Sequence, residues 1–127
     1  MDNIILHRAT SSDLDGLFAL YQAERWTNFT KEKVATMLEA SASIYLVLEK
    51  ADQIIGFARY ITDDVETTFI GEIIIAQSHR RQGLGRRLIE EIQSRQSATR
   101  IELASEKDGF YKALGFVPIG TALRLKK

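Results

Sequence analysis

The chain has 127 residues, of which 45 % are apolar and 27 % charged, and seventeen basic side chains balance seventeen acidic ones. This is the size and composition of a single globular domain over residues 1–127, and zero net charge argues against a general nucleic-acid binder. With no cysteine, disulfides, thiolate metal sites and a cysteine nucleophile are excluded.

Ile4–Arg8 reads as a short strand. Thr10, Ser11 and Ser12 offer N-caps, and Leu14, Leu17, Phe18 and Tyr21 follow at helical spacing, so a first helix is expected to about Glu24. "RWTNFT" is a loop holding two large aromatics. Thr30 starts a second helix with Val34, Met37 and Leu38 on one face. "SIYLVLEK" and "QIIGFARYI" are strands joined as a hairpin at "ADQ", and "TTFIGEIIIA" is a third long strand. "HRRQGLGRRLIEEI" is a loop running into a helix that reaches about Ser97. "RIELA" is another strand, and "KDGFYKALGF" a short helix that Gly115 ends as a left-handed cap. A last strand or pair of strands is expected from Phe116 to the C-terminus. The order β-α-α-β-β-β-α-β-α-β predicts an α/β domain with a mixed sheet. No apolar run reaches the ~18 residues of a membrane span, and "MDNIILHRAT" lacks the pattern of a signal peptide, so a cytoplasmic protein is expected.

Charge is unevenly spread. Residues 1–64 hold ten acids and six bases, whereas 65–127 hold seven acids and eleven bases, so an anion site belongs in the second half. Four of those bases, Arg80, Arg81, Arg86 and Arg87, surround one helix start, the end that disfavours cations. Arg86 and Arg87 precede Glu90 and Glu91 by four, the weaker orientation for helical ion pairs, so pairing within the helix explains them poorly. Free N–H groups at a helix start, glycines at 83 and 85, and nearby guanidiniums would suit a polyphosphate. The alternative is a solvated basic helix start with glycines used only for the turn. No Walker A pattern is present, and a dinucleotide fingerprint would need glycine where Leu88 stands.

Arg80, Gly83 and Gly85 fit the Arg/Gln-x-x-Gly-x-Gly/Ala loop of the GNAT superfamily of acetyl-CoA-dependent N-acetyltransferases, which the chain resembles. "GEIIIAQSHRRQGLG" is similar to that family's long strand, turn and loop. "FYKALGFVP" resembles its second signature, with Tyr111 26 residues after Gly85. The resemblance implies a mixed, splayed central sheet flanked by about four helices. It also implies acetyl-CoA as co-substrate, wedged where the strands part. Backbone groups of Ile73, Ile74 and Ile75 would hold the pantetheine arm. Backbone N–H groups from Arg81 through Gln82, Gly83, Leu84 and Gly85 to Arg86 would hold the pyrophosphate, with Arg80 and Arg81 adding charge. Many members carry Asn where Ala104 stands, and Ser105 is the expected substitute.

The chemistry such a family performs needs a neutral amine, and a lysine-like ammonium is neutral in roughly one molecule in a few thousand at pH 7. Glu72, a carboxylate in an apolar stretch just before Ile73, is the candidate base; the alternative is a carboxylate that attracts the amine or pairs with an arginine. Tyr111, which the resemblance places beside the cofactor sulfur, is the candidate proton donor to the thiolate; the alternative is packing. A backbone N–H around Ile74 would polarise the thioester carbonyl. Trp26, Phe29 and Tyr60, with Arg59, are candidates for the acceptor surface, and Trp26 and Phe29 could equally be core. His7 and His79 are read as structural. No metal is needed. The expected function is acetyl transfer to a primary amine, favouring a small molecule, with a faint likeness to the arylalkylamine branch; a protein N-terminus or lysine stays open, as does a homodimer. The rival reading is a catalytically silent acyl-CoA sensor or partner-binding protein.

Overall fold

A computed structural model describes residues 3–127. Five strands form one sheet in the order β1-β2-β3-β4-β5: β1 Ile4–Arg8, β2 Ser43–Lys50, β3 Gln53–Thr62, β4 Thr67–Ile75 and β5 Arg100–Leu103. The first four run antiparallel to their neighbours, and β5 joins β4 in parallel. Helices α1 Leu14–Ala23 and α2 Lys31–Glu39 precede β2. Helix α3 Leu84–Arg95 connects β4 to β5, as a parallel crossover requires, and α4 Asp108–Ala113 follows β5.

Local chemistry sets the boundaries. Asp13 Oδ2 accepts the Thr10 backbone N–H at 2.9 Å ahead of α1, and Thr30 Oγ1 accepts the Lys33 N–H at 3.1 Å to cap α2. The β2–β3 hairpin turns on Ala51 and Asp52, both left-handed with φ 51° and 63°, the twist a two-residue hairpin demands. Gly115, φ 98°, ends α4: the Phe116 N–H reaches the Tyr111 carbonyl and the Gly115 N–H that of Lys112, a Schellman closure.

The sheet separates two cores. Leu17, Leu20, Tyr21 and Val34 of α1 and α2 cover Tyr45, Val47, Phe57 and Ile74 on one face. Leu84, Leu88, Ile89 and Ile92 of α3 cover Leu46, Leu48, Ala58, Tyr60 and Ile70 on the other. Strict alternation would put Ile70, Glu72 and Ile74 on the same face. They are not, because β4 carries an extra residue. Arg59 pairs with Glu72 but the next β3 residue, Tyr60, pairs with Ile70, leaving Gly71 as a bulge. Ile70 therefore faces α3 while Glu72 and Ile74 face α1. A Cβ on Gly71 would lie 2.5 Å from Arg59 Nη2, so glycine also clears the path of that guanidinium.

One expectation fails. Residues 116–127 form no strand; beyond Phe116 they are exposed, with a bend at Gly120. Their apolar alternation is strand-like, but no strand of the same chain lies beside them to complete a hydrogen-bond ladder.

Candidate active site

Strands β4 and β5 pair only from Thr67–Arg100 to Ile70–Leu103. Beyond that point β5 has ended and β4 continues for five residues with β3 on one side only. The Ala76 N–H donates to the Ile55 carbonyl, which fixes the phase of the alternating ladder. In that phase Ile74 turns its backbone groups towards β3, whereas Ile73 and Ile75 turn theirs towards the bare side. The expectation that Ile74 offers backbone groups to a ligand is thus corrected: those groups belong to the sheet.

The loop after β4 makes a short 3-10 turn at Gln77–His79 and then enters α3 through two left-handed residues, Arg81 (φ 64°) and Gly83 (φ 77°). Turns of this kind gather N–H groups into an anion-binding concavity. The first helical hydrogen bond runs from the Arg87 N–H to the Gly83 carbonyl. Among the described residues, the N–H groups of Gln82, Gly83, Leu84, Gly85 and Arg86 find no acceptor.

The four arginines of this segment divide. Arg80 pairs with Glu24 of α1 and donates Nε to the Ile75 carbonyl at 2.9 Å. Arg87 donates to the Ile4 carbonyl at 3.2 Å, and Arg86 reaches the Ala113 carbonyl at 3.4 Å. Only Arg81 is exposed and without a protein partner among the described residues. Placing Arg80 among the phosphate-facing charges is corrected accordingly: its guanidinium belongs to α1 and the end of β4. A cleft of about 240 Å³ lies there, lined by Leu20, Glu24, Ile74, Ala76, Gln77 and Arg80 among others.

Gly85 is buried, and a Cβ there would meet the Phe110 ring at 2.6 Å. Its lack of a side chain serves the approach of α4 to α3. This contact fixes α4, and with it Tyr111, the next residue, against the start of α3. Tyr111 packs edge-on against Phe110 and Phe116, and burial pushes its phenol above the ordinary tyrosine range, so it keeps its proton at neutral pH. Its hydroxyl has no partner among the described residues. Ser105 is exposed, and its Oγ accepts the Lys107 N–H at 3.1 Å ahead of α4. Ala104 is exposed beside it.

Glu72 sits on the α1 face at the start of the bare stretch of β4, 8 % exposed. Arg59 grips it with two hydrogen bonds, Nε to Oε1 at 2.7 Å and Nη2 to Oε2 at 2.6 Å. The Tyr21 hydroxyl donates to Oε1 at 2.6 Å and lies 2.8 Å from that of Tyr45. Arg59 also reaches Ser43 Oγ at 3.4 Å. Hydrogen bonding to Glu72 holds the Arg59 guanidinium more firmly protonated than usual. Desolvation and the adjacent carboxylate raise the Tyr21 phenol, and desolvation pushes Tyr45 up to about 12. The network is one carboxylate, one guanidinium and two neutral phenols, and among the described residues no fully buried side-chain nitrogen or oxygen atom lacks a hydrogen-bond partner. The sequence pointed to Glu72 and to Arg59 separately; Tyr21, Tyr45 and Ser43 carried no signal beyond their place on apolar faces.

The aromatic candidates part company. Tyr21 stacks on Phe29 at 4.4 Å and tilts against Trp26 at 6.3 Å, so both loop aromatics pack over the network, half-buried. Tyr60 is a correction. It is 2 % exposed within the α3 core, on the sheet face opposite Glu72, and cannot meet an acceptor. Alternation along β3 separates it from Arg59, its neighbour in sequence. His7 bonds Glu49 and the Arg8 carbonyl, both at 2.9 Å, while His79 bonds Ser78 at 2.8 Å.

The acetyltransferase (GNAT) domain family matches residues 41–118, more than half of the chain. The chain belongs to the GNAT family. Among similar proteins, the chloroplastic GCN5-related N-acetyltransferase 1 of Arabidopsis thaliana is 31 % identical over 121 residues, covering 89 % of this chain and 61 % of that protein. An uncharacterised N-acetyltransferase of Pyropia yezoensis is 30 % identical over 113 residues, 77 % of this chain and 64 % of its own length. The chain thus spans a little over three-fifths of these two relatives. A GNAT-family acetyltransferase of Streptococcus pneumoniae superposes with a TM-score of 0.78 at 25 % identity, over 98 % of this chain and 99 % of the other. An aminoglycoside N-acetyltransferase solved with CoA superposes with a TM-score of 0.82 at 15 % identity, over 100 % and 96 %, and shares the GNAT fold. No helix among the described residues of this GNAT chain is long and apolar enough to cross a membrane.

Removing one partner of a buried ion pair typically costs about 3–5 kcal/mol, because the other is left unpaired. Arg59→Met should therefore destabilise the fold by roughly that amount, and Arg59→Met with Glu72→Met by much less than the sum of the two single changes. Urea unfolding of the four proteins measures this, and additive losses would mean that the two side chains are not coupled.

Proposed function

We propose that this GNAT chain transfers the acetyl group of acetyl-CoA to a primary amine in a ternary complex. The observation that carries the reading is the junction of an open strand edge, the backbone of Ile73 and the Ile75 N–H, with a loop of acceptor-free N–H groups at 82–86. A pantetheine arm carries amides that an open strand edge can pair, and a pyrophosphate suits clustered N–H groups. Arg81 supplies the charge that no protein group uses. Ser105 is the side chain available beside the arm where Ala104 offers none.

In this reading the amine nitrogen attacks the thioester carbonyl. The C–N bond forms, the C–S bond breaks, and the Ile73 N–H steadies the oxyanion. Tyr111 donates its proton to the departing sulfur. The amine loses its proton through water to solvent. Glu72 holds Arg59 and Tyr21 in place and supplies a fixed charge pattern beneath the acceptor. This role replaces that of direct base, since its oxygens already receive three hydrogen bonds, and a proton there would disrupt a buried pair. The acceptor enters over Trp26 and Phe29, whose half-buried rings favour a small amine with an apolar or aromatic body.

The deciding experiment incubates the protein with acetyl-CoA and a panel of amines: arylalkylamines, aminoglycosides, peptides with free N-termini and lysine peptides. Release of CoA thiol with one class identifies the acceptor. Tight CoA binding with no release from any of them would favour an acyl-CoA sensor.

Two variants probe the chemistry. Tyr111→Phe keeps the ring packing and removes one donor, and general acids are worth about 10²–10⁴-fold. A thiolate leaves readily, so the low end applies: about 100-fold in kcat, with little change in KM for acetyl-CoA. An acyl donor with a more acidic thiol should restore the rate, and equal losses with both donors would return Tyr111 to packing. Glu72→Gln should lower kcat/KM by a factor that stays constant between neutral pH and about 9.5, as a positioning role requires. A deficit that vanishes as solution deprotonates the amine would instead make Glu72 the base.

A further inference from the structure

His7 of β1 and Glu49 of β2 lie on the α1 face of the sheet, since His7 pairs with the buried Val47 and Glu49 stands two residues beyond it. The imidazole Nδ1 is 2.9 Å from the Arg8 carbonyl, and Nε2 is 2.9 Å from Glu49 Oε1. A carbonyl oxygen only accepts, so Nδ1 carries the proton of the neutral ring and Nε2 turns its lone pair to the carboxylate. Two acceptors in contact require a cation between them, either a second ring proton or a metal ion. A backbone carbonyl on Nδ1 is also what orients a histidine to bind a metal through Nε2. Asp13 completes the group from the 3-10 turn Ser11–Asp13 that leads into α1. All three residues are half-buried, and one ligand atom from each lies within 4.8 Å of the other two. Ligand atoms on a zinc ion stand about 3–3.5 Å apart, so closing around one takes side-chain shifts of about 1–2 Å at most.

We propose that His7, Asp13 and Glu49 bind a divalent transition-metal ion of the zinc class. Two carboxylates match the charge of the ion, and the imidazole selects zinc over magnesium and calcium, whose sites are built of oxygen. The approach is open and negative. A groove of about 570 Å³ runs alongside, lined by Asp13, Asp15, Glu49 and Asp52 among others and by no basic residue. Lys31, which does not line it, pairs with Asp15. The groove admits a hydrated ion and leaves room for the water ligands that complete its coordination. The three ligands come from β1, β2 and the turn before α1, so the ion fastens the start of α1 to the sheet. The Glu72 network fastens the other end of that helix through Tyr21. The ion therefore serves the fold and takes no part in acetyl transfer.

Titration calorimetry of the tag-free, chelator-treated full chain with zinc chloride should give one ion per chain. Zinc should also raise the melting temperature, as a ligand of the folded state alone does. His7→Gln and Asp13→Asn should each weaken binding at least tenfold, about 1.4 kcal/mol, and remove the rise in Tm. Asparagine keeps an oxygen for the Thr10 N–H, and circular dichroism of both variants should match the parent, so lost binding is not lost folding. His79→Gln, which changes the other histidine of the chain, should leave binding as it is. No heat and no change in Tm at hundreds of micromolar zinc overturns the proposal. So does binding that survives His7→Gln, binding lost equally in His79→Gln, or displacement of zinc by millimolar magnesium.

Discussion

Arg59 and Glu72 form a buried ion pair whose position depends on one extra residue in β4. The bulge at Gly71 turns Glu72 off the α3 face, which Ile70 still occupies, and onto the α1 face, where Tyr21 and Tyr45 wait. Desolvating two charges is expensive, and such a pair persists only with good geometry and additional donors. The network supplies both through a two-pronged guanidinium and a phenol hydrogen bond. It also ties α1, β2, β3 and β4 to one carboxylate, so helix placement and sheet register are set by the same few atoms. The rings of Trp26 and Phe29 then seal it from above.

Downstream, the separation of two strands does what a dedicated pocket would do elsewhere. β5 is four residues long and β4 is nine, so the longer strand leaves backbone groups without a partner. The ladder's phase assigns those groups to Ile73 and to the Ile75 N–H, the Ile75 carbonyl being taken by Arg80. Gly85 then brings the two signature segments together. Its missing side chain admits Phe110, and with Phe110 comes Tyr111. The loop that would hold phosphates and the helix that would hold the proton donor are thus joined by a packing contact, and a substitution at Gly85 would disturb both.

The four arginines at the start of α3 illustrate how a disfavoured electrostatic arrangement is tolerated. Cations at a helix N-terminus each cost about 0.3–1 kcal/mol when exposed. Arg80 escapes by pairing with Glu24, and Arg86 and Arg87 donate to the carbonyls of Ala113 and Ile4. Arg86 and Arg87 thus hold neighbouring elements to α3, and Arg80 ties the loop before it to α1 and β4. The acceptor-free N–H groups and Arg81 remain for an anion.

Much of this was legible in the sequence, and for local reasons. Caps at Thr30 and Gly115, alternation in β2 and β3, the 3.6-residue period of α3 and the glycine-arginine loop all depend on neighbours within a few positions. The α/β order and the family resemblance followed from them. What failed depended on contacts distant in the chain. The bulge at Gly71, which decides the face Glu72 takes, leaves no mark on a hydrophobic pattern, and Tyr60 lies across the sheet from Arg59 by alternation along β3. Arg80 could not be assigned to Glu24 across 56 residues, nor Gly85 to Phe110 across 25. Residues 116–127 have the period of a strand, but a strand exists only where another backbone completes its hydrogen bonds. The sequence by itself determined the helices, strands and loops as far as α4; only the tertiary structure decided whether residues 116–127 pair, which face each side chain serves and which strand edges are left open, because those follow from register and long-range packing.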